Sequence, residues 1–227
     1  MEKILIGIEG NLGSNKEIFI KFLQKYFKDN VSYSEEQTCT WENEEFIKKF
    51  YKNPERWGFL MEVNSTVRKI KNIWNLMQSE KTNIIFSIRC PHSDKECFLE
   101  TLKKMNKITT KEIETYNLMF SLLKIPKFNS IIFLKSSINT SYERIKSKNR
   151  DCENNIDYKF IKELHSIYEQ WIEKLKKNGV DVLEIDMEKY SDLEGSEELQ
   201  HDVIKKLLKK FPKLSKHIGW VPFKCVK

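Results

Sequence analysis

The chain has 227 residues, with 40 lysines and arginines against 33 aspartates and glutamates, a formal net charge of +7. That length suits one domain with a sizeable core, and 40% apolar with 12% aromatic content excludes a disordered chain. No basic run is interleaved with aromatic residues, so the charge fits lysines spread over helix surfaces and a cationic phosphate pocket better than a nucleic-acid interface.

Cys39, Cys90, Cys97, Cys152 and Cys225 are odd in number and lack Cys-x-x-Cys spacing. Reduced thiols in a reducing compartment are expected, with no disulfide framework or zinc site. Strand-like residues begin by Lys3 and no long apolar segment follows, so no membrane association is expected. The cytoplasm is the expected location, or the host cytoplasm for a viral chain. No internal repeat or linker divides residues 1–227, which read as a single domain.

The first element is a short apolar run from Ile4. It passes into the loop Gly10-Asn11-Leu12-Gly13-Ser14-Asn15-Lys16 and then a helical pattern from Glu17 to Tyr26. A strand, a phosphate-cradling loop and a helix N-terminus read this way. The spacing is that of a phosphate loop. Asn15, however, stands at the second required glycine and Glu17 at the Ser/Thr position. Asparagine is among the side chains that best tolerate a left-handed backbone. Glu17 is either a magnesium ligand or a first-turn acid that stabilises its helix.

A short strand is predicted from Val31 to Ser34, then a helix from Glu44 to Tyr51 that stops at Asn53-Pro54. Phe59, Val63, Val67, Ile70, Trp74 and Met77 recur at helical spacing and predict a long helix from Arg56 to Gln78. Asn83–Ile88 is a second buried strand, followed by helices His92–Met105 and Thr109–Leu123. Ser130–Leu134 is a third short strand. A basic helix (Asn139–Lys148), an acidic turn (Asp151–Glu153) and a helix from Asp157 to Lys177 come next. Gly179 ends that helix, Val180–Ile185 makes another strand, and Glu197–Lys210 a last amphipathic helix.

Strands alternating with helices predict an α/β fold: a central parallel sheet of about five strands, flanked by helices on both faces. Ligands in such sheets sit at the carboxyl ends of the strands. The loop Gly10–Lys16, the pair Glu35-Glu36 and Arg89 all follow strand ends. Glu35 and Glu36 suit a general base or an exposed acidic turn. Arg144, Lys146, Lys148 and Arg150 suit a cationic loop that closes over phosphates or a solvated basic face.

Two blocks decide between these alternatives. Ser141-Tyr-Glu-Arg-Ile-Lys-Ser-Lys-Asn-Arg-Asp-Cys-Glu153 and Lys162-Glu-Leu-His-Ser-Ile-Tyr-Glu-Gln-Trp171 resemble the lid and following helix of the deoxynucleoside kinase family, viral relatives included. The resemblance extends over roughly Ile4 to Asp186. It implies a P-loop kinase-like three-layer fold with a basic lid, ATP as co-substrate, Mg2+, nucleoside and nucleotide ligands, and a homodimer. The long helices at Arg56–Gln78 and Thr109–Leu123 would supply the dimer's bundle.

By that resemblance, Gly10, Asn11, Gly13, Ser14, Asn15, Lys16 and Glu17 form the phosphate loop, and the lid cations join them at the phosphates. Glu36, in Glu36-Gln-Thr-Cys-Thr-Trp41, matches the base that takes the 5′-hydroxyl proton, and Arg89 the arginine of Glu/Asp-Arg-Ser. Trp41 lines the nucleoside pocket. Tyr51 and Glu153 match the pair that holds the sugar 3′-hydroxyl. Phe98 matches the aromatic that stacks on the base, and Glu62 stands at the base-reading glutamine. An ionised Glu62 would offer acceptors only and favour an exocyclic amine. Ile88 replaces the acid of Glu/Asp-Arg-Ser, and with Glu17 it removes the usual magnesium scaffold. Two functions follow: an active kinase, or a nucleoside-binding protein without transfer.

Overall fold

The computed structural model describes residues 3–34, 41–79 and 82–217, with only the backbone of residues 29 and 41–44. In them β1 (Ile4–Glu9), β2 (Ser32–Ser34), β3 (Ile84–Ile88), β4 (Ser130–Lys135) and β5 (Asp181–Asp186) form one sheet in the order β2-β3-β1-β4-β5. Every pairing is parallel; Ile8 lies opposite Ile88, and Gly7 opposite Ile131. The predicted α/β class and parallel sheet are therefore found, with strand bounds shifted by a residue or so.

Alternate residues of the strands feed two cores. Ile6, Ile8, Phe86 and Ile132 pack with α1 (Lys16–Phe27) and α9 (Glu197–Lys210). On the opposite face Ile131 and Phe133 pack with α8 (Tyr158–Lys177) through Ile161, Leu164 and Tyr168. Central strands covered on both faces become almost uniformly apolar, which is why β1 and β3 read as continuous apolar runs.

Two helices meet at Asn53-Pro54. There α2 (Trp41–Lys52) ends and α3 (Pro54–Gln78) begins, with Pro54 in the first turn and the Asn53 side chain accepting from the Arg56 N–H at 3.2 Å. Proline lacks an N–H that the first turn leaves unbonded anyway, so the residue that stops one helix opens the next. The buried residues of α3 are Gly58, Glu62, Thr66, Ile70 and Ile73. The predicted apolar stripe is covered only in part: Ile70 is buried, Phe59, Val63, Trp74 and Met77 are half-buried, and Val67 is exposed.

The helix expected over His92–Met105 is interrupted. It runs as α4 (Pro91–Ser93), a π-helical segment (Asp94–Leu99) and α5 (Glu100–Lys104). A π turn adds a residue to the helical repeat and here buries Asp94 and Cys97. The remaining helices are α6 (Thr110–Leu122) and α7 (Ile138–Lys148), followed by a 3-10 turn, Asp151–Glu153. Cys90 and Cys97 are free and buried, and Cys152 is buried. No described helix is long and apolar enough to cross a membrane. Glu35, Glu36, Cys39, Trp220, Phe223 and Cys225 lie outside the described residues.

Candidate active site

The loop between β1 and α1 is held by close packing. A Cβ at Gly10 would lie 2.7 Å from the Leu134 carbonyl oxygen, and one at Gly13 only 2.2 Å from that of Ser141. Both glycines also have positive φ. Asn15, at the position of the missing glycine, takes the left-handed conformation at φ 59° and ψ 34°. The expectation that asparagine would accept that backbone holds.

Asn11 and Ser14 turn inward. The Asn11 amide donates to the Ile161 carbonyl at 3.0 Å and accepts from the Leu12 N–H at 2.8 Å, fixing the loop to α8. The Lys16 ammonium lies across the loop and donates to the Asn11 carbonyl at 2.8 Å, the Gly10 carbonyl at 3.2 Å and the Ser14 hydroxyl at 3.3 Å.

Glu17 meets the lid. Arg150 donates to its carboxylate at 2.7 Å and Lys148 at 3.1 Å. Partial burial pushes the Glu17 carboxyl up, but the Arg150 hydrogen bond and the Lys148 charge outweigh it and hold it below the usual carboxylate value. Asn149, left-handed at the end of α7, turns the chain so that cations on either side of it converge. The second Arg150 nitrogen lies 3.5 Å from Glu153.

The other two lid cations point elsewhere. Arg144 donates to the Ser136 hydroxyl at 3.1 Å and the Met187 carbonyl at 2.9 Å, beyond the ends of β4 and β5. Lys146 donates to the Asn154 carbonyl and lies over the Tyr142 ring. So two of the four lid cations converge on the start of α1, and two do not.

Arg89 has φ 61°, a conformation that costs a non-glycine residue about 1–2 kcal/mol. Its guanidinium is buried, donates to the Gly10 carbonyl at 3.1 Å and the Tyr168 hydroxyl at 2.6 Å, and lies 4.6 Å over the Phe98 ring. The Tyr168 hydroxyl in turn donates to Glu9 at 3.1 Å, and the Cys90 N–H donates to the other Glu9 oxygen at 2.6 Å. Burial raises the Glu9 carboxyl above its ordinary value, against the pull of Arg89. The network ties β1, the end of β3, α8 and the phosphate loop together.

One cavity of about 260 Å³ opens beside these groups. Leu12, Glu17, Arg150 and Glu153 line it from the loop and lid, Phe50 and Tyr51 from α2, and Glu62 and Lys69 from α3. Ile88, Arg89, Asp94 and Phe98 complete it from the end of β3 and the π segment. Among the predicted residues, Glu17, Tyr51, Glu62, Arg89, Phe98, Arg150 and Glu153 thus share one wall system. Glu36 and the Trp41 side chain lie outside the described residues.

The α3 end of the cavity holds a polar cluster. Lys69 pairs with Asp94 and donates to the Ser65 hydroxyl at 2.8 Å. The Thr66 hydroxyl donates to the second Asp94 oxygen at 3.1 Å and accepts from Tyr116 at 2.6 Å. Glu62 is 4% exposed. Burial first, and then the Asp94 charge, push its carboxyl well above the ordinary value; Lys69 and Arg89 oppose the shift.

Lys69, Thr66, Tyr168 and Glu9 were not singled out from the sequence. The available signal was Glu62, Thr66 and Lys69 at steps of four and three, which share a face of α3. Among the described residues no group of three or more His, Cys, Asp or Glu side chains could hold a metal ion. Ile88 contributes no ligand, and Glu17 is engaged by two cations. The described side chains therefore do not by themselves make a magnesium site.

Known proteins resemble this chain over most of its length. A family model described as "Deoxynucleoside kinase" matches residues 6–213. The probable deoxycytidine kinase of fowlpox virus is 30% identical over 186 residues, 79% of this chain and 77% of that protein. A deoxyadenosine kinase of Dictyostelium discoideum is 24% identical over 200 residues, 86% of this chain and 76% of its own. A deoxyguanosine kinase of Bacillus subtilis is 24% identical over 174 residues, 76% of this chain and 80% of its own.

Proposed function

The chain belongs to the deoxynucleoside kinase family, and from that premise we propose that it transfers the γ-phosphoryl group of ATP to the 5′-hydroxyl of a deoxynucleoside. The observation that carries this reading is the shared cavity. Side chains from the phosphate loop and lid line the same space as Tyr51, Glu62, Asp94 and Phe98. Its volume lies near the lower end of small-molecule sites, roughly 300–1,000 Å³.

Phosphoryl transfer needs in-line positioning and charge stabilisation more than covalent chemistry. In this reading Lys16, with the N–H groups of the loop Gly10–Glu17 and the start of α1, holds the triphosphate, as helix N-termini do. Lys148 and Arg150 exchange Glu17 for the phosphoryl oxygens and stabilise their developing charge. Glu36 accepts the 5′-hydroxyl proton. Arg89, fixed between Gly10 and Tyr168, presents its charge between loop and nucleoside. Tyr51 and Glu153 hold the sugar 3′-hydroxyl, while Trp41, Phe98 and Glu62 hold the base. Arg144, bonded to Ser136 and Met187 beyond the ends of β4 and β5, supports the lid from its far side. Lys146 supports the lid through Asn154. Magnesium would be held chiefly by phosphate oxygens and water, as this ion often is.

Two packed helices expose apolar surface, at Leu60 and Val67 on α3 and at Leu118 and Leu122 on α6. It suits a second copy of the chain, as in a homodimer built on a helix bundle. The buried free thiols of Cys90 and Cys97 suit a reducing compartment such as the cytoplasm.

Ile88 and the engagement of Glu17 favour a second reading, nucleoside binding without efficient transfer. Labelled ATP, magnesium and each common deoxynucleoside separate the two. Transfer that disappears in Lys16→Ala and Glu36→Gln establishes the kinase. Saturable nucleoside binding with no transfer above the Lys16→Ala background establishes the binding protein.

A further inference from the structure

We infer that Glu62 meets the base as an uncharged acid, its O–H donating to an unprotonated ring nitrogen while its carbonyl oxygen accepts from the adjacent exocyclic amine. This rests on the nucleoside-binding reading of the cavity and adds a proton to it: base recognition becomes coupled to protonation of one side chain.

The argument begins with the charges at that end of the cavity. Two acids, Glu62 and Asp94, are almost fully buried beside Lys69. Asp94 takes that lysine and a hydroxyl as well, through Lys69 and Thr66. Glu62 makes no hydrogen bond with another described residue, yet it lines the cavity. Two buried carboxylates that share one cation do not both ionise at little cost; the one without the partner keeps its proton.

The groups that face Glu62 agree on which acid that is. Lys69, on the same helix, is spent on Asp94. Asp94, from the π segment, is a like charge. Tyr116, from α6, is bound through Thr66, and its hydroxyl is held in the neutral form chiefly by burial. Arg89, at the end of β3, already donates to Gly10 and Tyr168 and lies over Phe98.

The chemistry that follows differs from that of a carboxylate. An ionised Glu62 would set a lone pair against the lone pair of an unprotonated ring nitrogen. A neutral Glu62 offers one donor and retains acceptor capacity, like the side-chain amide of glutamine. The neighbouring Asp94 carboxylate offers only acceptors and so favours an amine over a carbonyl on the base. Cytosine and adenine present an unprotonated ring nitrogen beside an amine. Thymine and guanine present a protonated nitrogen beside a carbonyl.

Binding by the neutral form fixes the sign of the pH dependence. Affinity is full while Glu62 is protonated and falls as pH rises through its raised folded value, by about tenfold per pH unit beyond it. The test pairs two measurements on the full chain. Carbon NMR of glutamate-labelled protein, with the Glu62 resonance assigned by its loss in Glu62→Gln, reports whether this carboxyl is neutral at pH 7. Calorimetry with deoxycytidine, from about pH 6 to about pH 9, reports affinity in both proteins.

A neutral Glu62 is expected, with wild-type affinity falling across the range and Glu62→Gln flat, at least about tenfold tighter than wild type at the alkaline end. An ionised Glu62 at pH 7, or identical pH profiles for the two proteins, overturns this inference alone. If neither deoxycytidine nor, in the same titration, deoxyadenosine binds either protein, the nucleoside reading and the base contact with it are overturned.

Discussion

Arg150 donates to Glu17 at 2.7 Å across 133 residues of sequence, joining the tip of the lid to the first turn of the helix behind the phosphate loop. Lys148 reaches the same carboxylate. The two cations best placed to meet a triphosphate are thus already paired with an internal anion. The Glu17 side chain is 44% exposed, so the pairing is of the surface kind, worth up to about 1 kcal/mol.

Glu17→Thr frees both cations and removes a negative charge from the helix N-terminus at which we propose that phosphates bind. ATP is expected to bind about three- to tenfold more tightly, read by equilibrium titration with a fluorescent ATP analogue. Weaker ATP binding in the variant would show that Glu17 helps hold nucleotide. Since the Glu17 carboxyl sits below its ordinary value, the latch contributes fully above the usual carboxylate range. It is lost as pH falls through the folded value.

Asn15 already has the backbone that the usual glycine would supply. Asn15→Gly is therefore expected to leave ATP affinity within about twofold, with a small stability cost from added chain entropy. Asn15→Val, which places a β-branched residue at φ 59°, is expected to cost about 1–2 kcal/mol or more in urea unfolding and to weaken ATP binding. Equal effects of the two substitutions would mean that the asparagine side chain matters beyond its backbone.

Tyr168→Phe removes the hydroxyl that joins Arg89 to Glu9. Both groups are buried, so each loses a partner where water cannot readily replace it. A loss of about 1–3 kcal/mol is expected in chemical denaturation. A larger fall in turnover than in nucleoside affinity is expected too, because Arg89 loses its anchor. A stability unchanged by the substitution would mean that Arg89 and Glu9 find other partners.

Leu118 and Leu122 are 62% and 76% exposed. If a second copy covers them, the double variant Leu118→Glu/Leu122→Glu, which buries like charges at the contact, is expected to convert a dimer to a monomer in light scattering at micromolar concentration. A monomeric wild-type protein under the same conditions would count against the homodimer.

Features that repeat locally were legible before the structure. The strands showed as short apolar runs because both their faces are covered. The loop Gly10–Lys16 showed by spacing, and the lid by its ordered string of residues from Tyr142 to Glu153. Contacts between distant segments were not legible. Nothing near Glu17 indicates Lys148 or Arg150 as its partners. The π turn after Pro91 leaves no period to detect. Periodicity also favoured the apolar stripe of α3, whereas Glu62 and Lys69 turn to the cavity and Thr66 is buried behind them against Asp94. Helical spacing places those three together without saying which face is covered.

Gly13 and Ser141 impose a mechanical limit. With the Ser141 carbonyl seated where a Gly13 side chain would be, the phosphate loop and the first turn of α7 form one block. A shift of that turn toward the loop would drive backbone into backbone. Arg150 and Glu153 lie beyond the left-handed Asn149, past the first turn of α7 that this contact holds. The root of the lid serves as a fixed bearing, and a bulkier residue at Gly13 would jam that bearing before it reached the phosphates.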